Sequence, residues 1–237
     1  MIPKTIHYCW FGRGEKPKLA QKCIASWKKH CPGYEIIEWN EDNFDVNCCD
    51  YVREAYESKK YAFVADYVRL YAMYTQGGIY MDTDVEVVRP LDEFLVHQAF
   101  SGFEDEHSIS TGIMASEKGF CLFEYLLSYY NNRHFIKSDG GKDMTTNVAI
   151  ITEMLMERGF KPNGFFQVVE GFALYPRDYF CPLEDSTGIM FDSENTATIH
   201  WFNKSWIPLH LQLRSKLTRP IHRLLGKDVL RRFRKNP

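Results

Sequence analysis

The stretch Gly77-Gly78-Ile79-Tyr80-Met81-Asp82-Thr83-Asp84 constrains this chain more than any other. Upstream of it, residues 61–76 carry Phe63, Val64, Tyr67, Leu70, Tyr71 and Tyr74 on one apolar stripe at helical spacing, and the two glycines stop that helix. The apolar residues Ile79–Met81 are too few for a helix and read as a buried strand. Two acids at i and i+2 follow where the strand would leave its sheet, the end at which open α/β sheets collect ligands. Paired carboxylates on neighbouring exposed positions make a hard-oxygen site for Mg²⁺ or Mn²⁺, with substrate phosphates completing the shell. The plain alternative is two solvated acids at a turn.

The segments around it alternate between the two periodicities. Strands are expected at 5–11, 34–39, 79–81, 85–88, 112–116 and 196–200, and helices at 17–30, 50–58, 61–76, 120–130 and 145–157. Residues 164–180 read as short strand and loop. Helices between the early strands predict an α/β fold with a mainly parallel central sheet flanked by helices.

Composition excludes several classes. At 237 residues and 45% hydrophobic, the chain can bury a core without disulfide staples. No stretch of about 18 apolar residues offers a membrane span. The net charge of −2 hides an asymmetry, because residues 214–237 carry nine Lys/Arg and one acid, Asp228. An acidic body with a basic tail argues against wrapping nucleic acid. Seven cysteines without a Cys-x-x-Cys pair, and Met1-Ile2-Pro3-Lys4 in place of a secretory leader, predict a reduced cytoplasmic setting.

On the 61–76 helix, Asp66 and Arg69 sit at i, i+3 beside the small Ala62 and Ala65. One reading is an intrahelical ion pair worth a few tenths of a kcal/mol, roughly as exposed pairs are. The other is a sugar-hydroxyl acceptor beside a phosphate-facing guanidinium.

Three blocks together resemble glycosyltransferase family 32, which holds bacterial capsular-polysaccharide and lipopolysaccharide sugar transferases and yeast initiating mannosyltransferases, and is related to the catalytic core of the clostridial glucosylating toxins. They are Ile2-Pro3-Lys4-Thr5-Ile6-His7-Tyr8-Cys9-Trp10-Phe11-Gly12, then Ala65–Arg69 through Gly77–Asp84, and Ile199-His200-Trp201-Phe202-Asn203-Lys204-Ser205-Trp206. The resemblance implies a GT-A type nucleotide-sugar fold over residues 1–213, with 214–237 as a basic amphipathic tail. It also implies Mn²⁺ or Mg²⁺ and transfer of a hexose from a nucleoside-diphosphate sugar, a UDP-sugar favoured, with retention at the anomeric carbon. The acceptor would be an oligosaccharide or lipid-linked saccharide in surface-polysaccharide synthesis.

Carried over by position, Trp10 and Phe11 would edge the nucleotide base, though a core aromatic remains the alternative for Trp10. Asp66 and Arg69 would hold donor hydroxyls and diphosphate. Tyr80, Asp82 and Thr83 would line the donor, with Asp82 also counted with Asp66 and Arg69 as catalytic. Asp82, Asp84 and His200 would hold the metal, and Ser205 and Trp206 would close over phosphate. His7 is expected to be structural. Thr145-Thr146-Asn147-Val148 stands where many relatives have Thr-Gly-Pro, on the expected acceptor side, and Ser110-Thr111-Gly112 is a further approach to the donor sugar.

Glu104, Asp105 and Glu106 read as solvated loop acids. Front-face transfer, in which the leaving phosphate assists the acceptor, needs no base from the protein. In the tail, Ile221, Leu224, Leu225, Val229, Leu230 and Phe233 form an amphipathic series, either docking on an anionic membrane face or packing on the domain. A non-catalytic nucleotide-sugar binder and a nucleotide-sugar hydrolase are the competing functions.

Overall fold

The structure is a computed structural model, and it describes residues 1–203, 214, 218–220, 222 and 223. Its order begins β1 (Thr5–Cys9), α1 (Lys18–His30), β2 (Glu35–Trp39), α2 (Asp50–Glu57), α3 (Tyr61–Thr75), β3 (Gly78–Met81) and β4 (Val85–Val87). A 3₁₀ turn (Asp92–Val96) leads to β5 (Ala99–Gly102), β6 (Ile113–Ser116), α4 (Cys121–Ser128) and α5 (Asn147–Met156). β7 (Gln167–Val169), β8 (Phe172–Tyr175), α6 (Arg177–Phe180) and β9 (Thr198–His200) follow.

Seven strands form one sheet in the order β2-β1-β3-β6-β5-β8-β7, while β4 and β9 pair separately. The α/β class holds, but the sheet is mixed where a mainly parallel one was expected. β1 runs parallel to β2 and β3, and β5 parallel to β8. β6 runs antiparallel to both β3 and β5, and β7 antiparallel to β8. The short, Gly-ended Ala99–Gly102 run lacks a periodic signal, so β5 escapes sequence reading and the reversal at β6 goes with it.

Side chains alternate between two cores, one on each face of the sheet. Tyr80, Met114, Ala99, Phe172 and Leu174 face the core containing α3 residues Phe63, Val64, Val68 and Leu70. Ile79, Met81, Ile113, Ala115, Phe100 and Ala173 face the other, with Cys23 and Trp27 of α1. The Trp27 indole donates to the Val85 carbonyl at 2.8 Å and so seats β4 beneath α1.

The Gly-Gly stop is sterically required. Gly77 and Gly78 have φ of 71° and 103°, and a Cβ on Gly78 would lie 2.6 Å from the Thr5 carbonyl oxygen. His7, fully buried, bridges to this corner: its Nε2 lies 2.9 Å from the Gly77 carbonyl, and Trp39 Nε1 donates to its Nδ1 at 3.1 Å. Those partners select the neutral ring protonated at Nε2, and burial lowers its pKa to about 4 despite the Gly77 bond.

Candidate functional site

The strand directions bring one set of loops to one end of the sheet. β1, β3, β5 and β8 all point that way, and antiparallel β6 begins there. The segments collected are Trp10–Gly14, Asp82–Asp84, Glu104–Ser108, Ser110–Gly112 and Pro176–Cys181.

Asp82 leaves β3 into a tight turn closed by the Val85 amide donating to its carbonyl at 2.9 Å, and its own amide donates to the Gly112 carbonyl at 2.8 Å. Thr83 is half-buried at the turn. Tyr80 is 1% exposed in the core, and its hydroxyl donates to Asp82 Oδ1 at 2.8 Å. It therefore meets the site by holding Asp82.

Arg69, 5% exposed, is the hub. Nη2 lies 2.9 Å from Asp66 Oδ1 and 3.3 Å from Asp82 Oδ1. Nη1 donates to the Thr111 carbonyl at 2.6 Å, and the guanidinium lies over the Tyr80 ring at 4.8 Å. The weak surface ion pair is thus not what forms. A buried Arg between two carboxylates replaces it, because α3 is enclosed by the sheet, α2 and α4. Burial opposes the Arg69 charge, and Asp82, Tyr80 and Asp66 outweigh it. Burial also pushes the Asp66 carboxyl up to about 6, with Arg69 opposing and Asp82 adding repulsion.

Pairing of Val85 with His200 in β4–β9 carries His200 to Asp84. Nε2 stands 3.3 Å from Asp84 Oδ1, while the Asn203 amide donates to Asp84 Oδ2 at 2.7 Å. The His200 ring stacks on Phe202 at 4.1 Å between centroids. Burial works against charge on both partners, yet their attraction prevails, lowering the Asp84 pKa and raising that of His200. Ligand atoms of Asp82, Asp84 and His200 all lie within 4.8 Å of one another. Two carboxylates and an imidazole at that spacing fit a divalent cation such as Mn²⁺ or Mg²⁺.

Trp10 is half-buried, with Nε1 donating to the Gly14 carbonyl at 2.6 Å and Lys16 Nζ 5.6 Å from its ring. Phe11 packs edge-on against Phe44 and is 7% exposed, so its side chain belongs to the core. Ser205 and Trp206 lie outside the described residues. Asn147 is buried at the start of α5, and its amide donates to the Asp66 carbonyl at 3.0 Å. The specific bonds of the Thr111 carbonyl to Arg69 and of Asn147 to Asp66 join the segments before β6 and at the start of α5 to α3.

The site is thus an acid-x-acid turn at the end of an inner strand of a mixed α/β sheet, with buried Arg69 held between Asp66 and Asp82. Residues 17–101 match the family described as "Glycosyltransferase sugar-binding region containing DXD motif", which upholds the resemblance to glycosyltransferase family 32. Inositol phosphoceramide mannosyltransferase 3 of Schizosaccharomyces pombe is 32% identical over 126 residues, 50% of this chain and 34% of that protein. The chain therefore spans about a third of that relative's length. Uncharacterized glycosyltransferase L373 of Acanthamoeba polyphaga mimivirus is 24% identical over 90% of this chain and 86% of its own length. The galactosyltransferase LgtC, solved with donor and acceptor sugar analogs, superposes with a TM-score of 0.46 at 13% identity, covering 90% of this chain and 93% of that one.

Proposed function

We propose that this chain is a divalent-cation-dependent hexosyltransferase that moves a sugar from a nucleoside diphosphate, a UDP-sugar favoured, to a glycan or lipid-linked saccharide acceptor, with retention at the anomeric carbon. The convergence of Asp82, Asp84 and His200 within 4.8 Å carries the reading. Such a site answers the main chemical need of the reaction, which is to stabilise the diphosphate charge as the glycosidic bond breaks. Asp82, Asp84 and His200 would hold Mn²⁺ or Mg²⁺, which would supply positive charge to the leaving diphosphate without proton transfer.

The protein's own groups fix the geometry. Arg69 and Tyr80 hold Asp82 in one orientation, so its carboxylate needs no reorganisation when the donor arrives. The Asn203 amide holds the second oxygen of Asp84. Asp66, locked by Arg69, is the acceptor for donor-sugar hydroxyls, and Trp10 borders the base. Ser205 and Trp206 complete the donor set by resemblance.

A saccharide in surface-polysaccharide synthesis is the acceptor we favour. No helix among the described residues is long and apolar enough to cross a membrane. Peripheral contact through 214–237 belongs to the same reading; of that segment, described Arg219 pairs with Asp185 at 3.2 Å, and His222 lies 3.1 Å from the Ser186 carbonyl. Flotation with anionic vesicles tests it: equal binding by the full chain and by a chain lacking 214–237 removes the membrane role.

The main test is a thermal-shift screen of UDP- and GDP-sugars with and without Mn²⁺, since a ligand that binds only the native form raises its apparent stability. A shift that requires both components is expected. No shift from any pair overturns the reading.

A further inference from the structure

The loop after β1 holds two successive residues in the left-handed region, Gly12 at φ 91° and Arg13 at φ 56°. Glycine adopts that form freely, but for arginine it costs energy, and such backbone persists only where its surroundings over-determine it. Here the surroundings come from the turn after β2. The Gly12 amide donates to Glu41 Oε1 at 2.6 Å, and Arg13 Nη2 pairs with Asp42 Oδ1 at 2.6 Å. Tyr61, the first residue of α3, closes the loop from the side: a Cβ on Gly12 would lie 2.3 Å from its ring.

Of the two acids, Glu41 does the holding. The Arg13–Asp42 pair is exposed on both sides and contributes little. Glu41 is half-buried and is itself fixed. The Tyr56 hydroxyl of α2 donates to the same Oε1 at 3.0 Å. The turn that carries Glu41 is tied within itself, the Asp42 amide donating to Asn40 Oδ1 at 2.8 Å and the Asn40 amide to Asn43 Oδ1 at 2.9 Å. Burial works against the charge of the carboxylate, yet the Gly12 amide, the Tyr56 hydroxyl and Arg13 keep its pKa below the ordinary value. Oε2 is closed off from solvent and has no hydrogen-bond partner among the described residues. An acceptor oxygen left dry and unpaired lowers stability, so what this carboxylate achieves is the hold on Gly12.

That hold passes to the indole. The Trp10 amide donates to the Trp39 carbonyl at 2.9 Å, and Trp10 Nε1 donates to the Gly14 carbonyl at 2.6 Å. Gly12 lies between those two bonds, so fixing it fixes where Gly14 stands relative to Trp10, and with it the setting of the ring.

We propose that Glu41 is the positioning residue for the nucleobase: by fixing the Gly12 amide it holds the loop, and through Gly14 the Trp10 indole, in the form that receives the base. This rests on the nucleotide-sugar reading above. β1 lies beside β3, whose Asp82 has its own supports in Arg69 and Tyr80. The base end and the diphosphate end of the donor are therefore held by separate sets of bonds, and loss of Glu41 acts on the first alone. In sequence Glu41 is one acid of a polar turn; the parallel pairing of β1 with β2 brings that turn to Gly12.

The experiment titrates the full chain, in Mn²⁺, with inorganic pyrophosphate, which has no base, and with UDP or GDP, whichever gives the larger Mn²⁺-dependent thermal shift. Kd for each probe is measured calorimetrically for wild type, Glu41→Ala, Glu41→Asp and Glu41→Gln, with melting temperatures alongside. Glu41→Ala is expected to weaken nucleotide binding at least about tenfold, the worth of one hydrogen bond to a charged group, while pyrophosphate Kd stays within about twofold. Glu41→Asp keeps the charge, disturbs folding least and draws the carboxylate back by one methylene; it shows the same selective loss in smaller measure. Glu41→Gln keeps an acceptor oxygen for the Gly12 amide and recovers most of the affinity. Equal weakening of both probes overturns the inference, because a merely structural role would act on both, and so does unchanged nucleotide affinity in the Ala and Asp variants. Wild type that binds the nucleotide no more tightly than pyrophosphate also overturns it. Absence of Mn²⁺-dependent binding of either nucleotide by the wild type overturns the underlying function, and the inference with it.

Discussion

Asp84 Oδ1 and His200 Nε2 stand 3.3 Å apart, joined by the pairing of two three-residue strands, β4 and β9. This contact turns a two-acid motif into a cluster of three groups that could hold a metal ion. Without β9, Asp82 and Asp84 would be a pair of acids on a turn.

Replacing Asp84 by Ala should therefore remove the Mn²⁺-dependent thermal shift and lower turnover by several powers of ten, on the order of 4 kcal/mol in the barrier. Metal titration and steady-state rates on the same preparation check it. Normal turnover by the variant in a chelator would contradict a metal role.

Gly112 packs directly under the imidazole, and a Cβ there would lie 2.8 Å from His200 Nδ1. Gly112→Ala should push His200 away from Asp84, weaken Mn²⁺ binding at least about tenfold and cost about 1–3 kcal/mol of stability, as overpacking does. Mn²⁺ titration followed by melting temperature reads both effects.

Arg69 is the sole guanidinium between Asp66 and Asp82 among the described contacts. Its removal leaves two like charges close together, one of them buried. Arg69→Ala is expected to destabilise by about 3–5 kcal/mol, read from urea midpoints. Arg69→Lys keeps the charge but loses the fork that reaches both carboxylates and the Thr111 carbonyl, so it should rescue only part.

His7 gives the acid limb of stability a specific origin. Its pKa falls from 6.5 to about 4 on folding, chiefly through burial. Above pH 6.5 both states are neutral and the group contributes no pH slope. As pH falls from 6.5 towards 4 the unfolded chain binds a proton that the native ring refuses, so stability drops by up to about 1.4 kcal/mol per pH unit. In unfolding free energies measured between pH 7 and 4.5, His7→Gln should show a shallower decline than wild type. Equal slopes would remove His7 as the cause.

Most elements were legible because their signals are local. The Gly-Gly stop and the three apolar residues before Asp82 each follow from neighbours within a few positions, whereas the buried face of α3 does not: Val68, Ala72 and Met73 are fully buried, while Tyr67, Tyr71 and Tyr74 are half-buried. β5 was missed, since Ala99-Phe100-Ser101-Gly102 alternates weakly and ends in glycine. Losing that strand hid the antiparallel turn of the sheet and left half-buried Glu104 looking like a solvated acid. The Asp66–Arg69 pair was visible by spacing, but its burial was not, because α3 is covered by partners distant in sequence.

The sequence by itself determined the helix that ends on two glycines, the acid-x-acid turn after it and the family likeness of three separated blocks. Only the tertiary structure decided that Arg69 is enclosed, that the β4–β9 pairing is what brings His200 to Asp84, and that Glu104 shares their end of the sheet. Those relationships are set by strand order and by which side chains lose water on packing, and neither quantity is carried by any local stretch of residues.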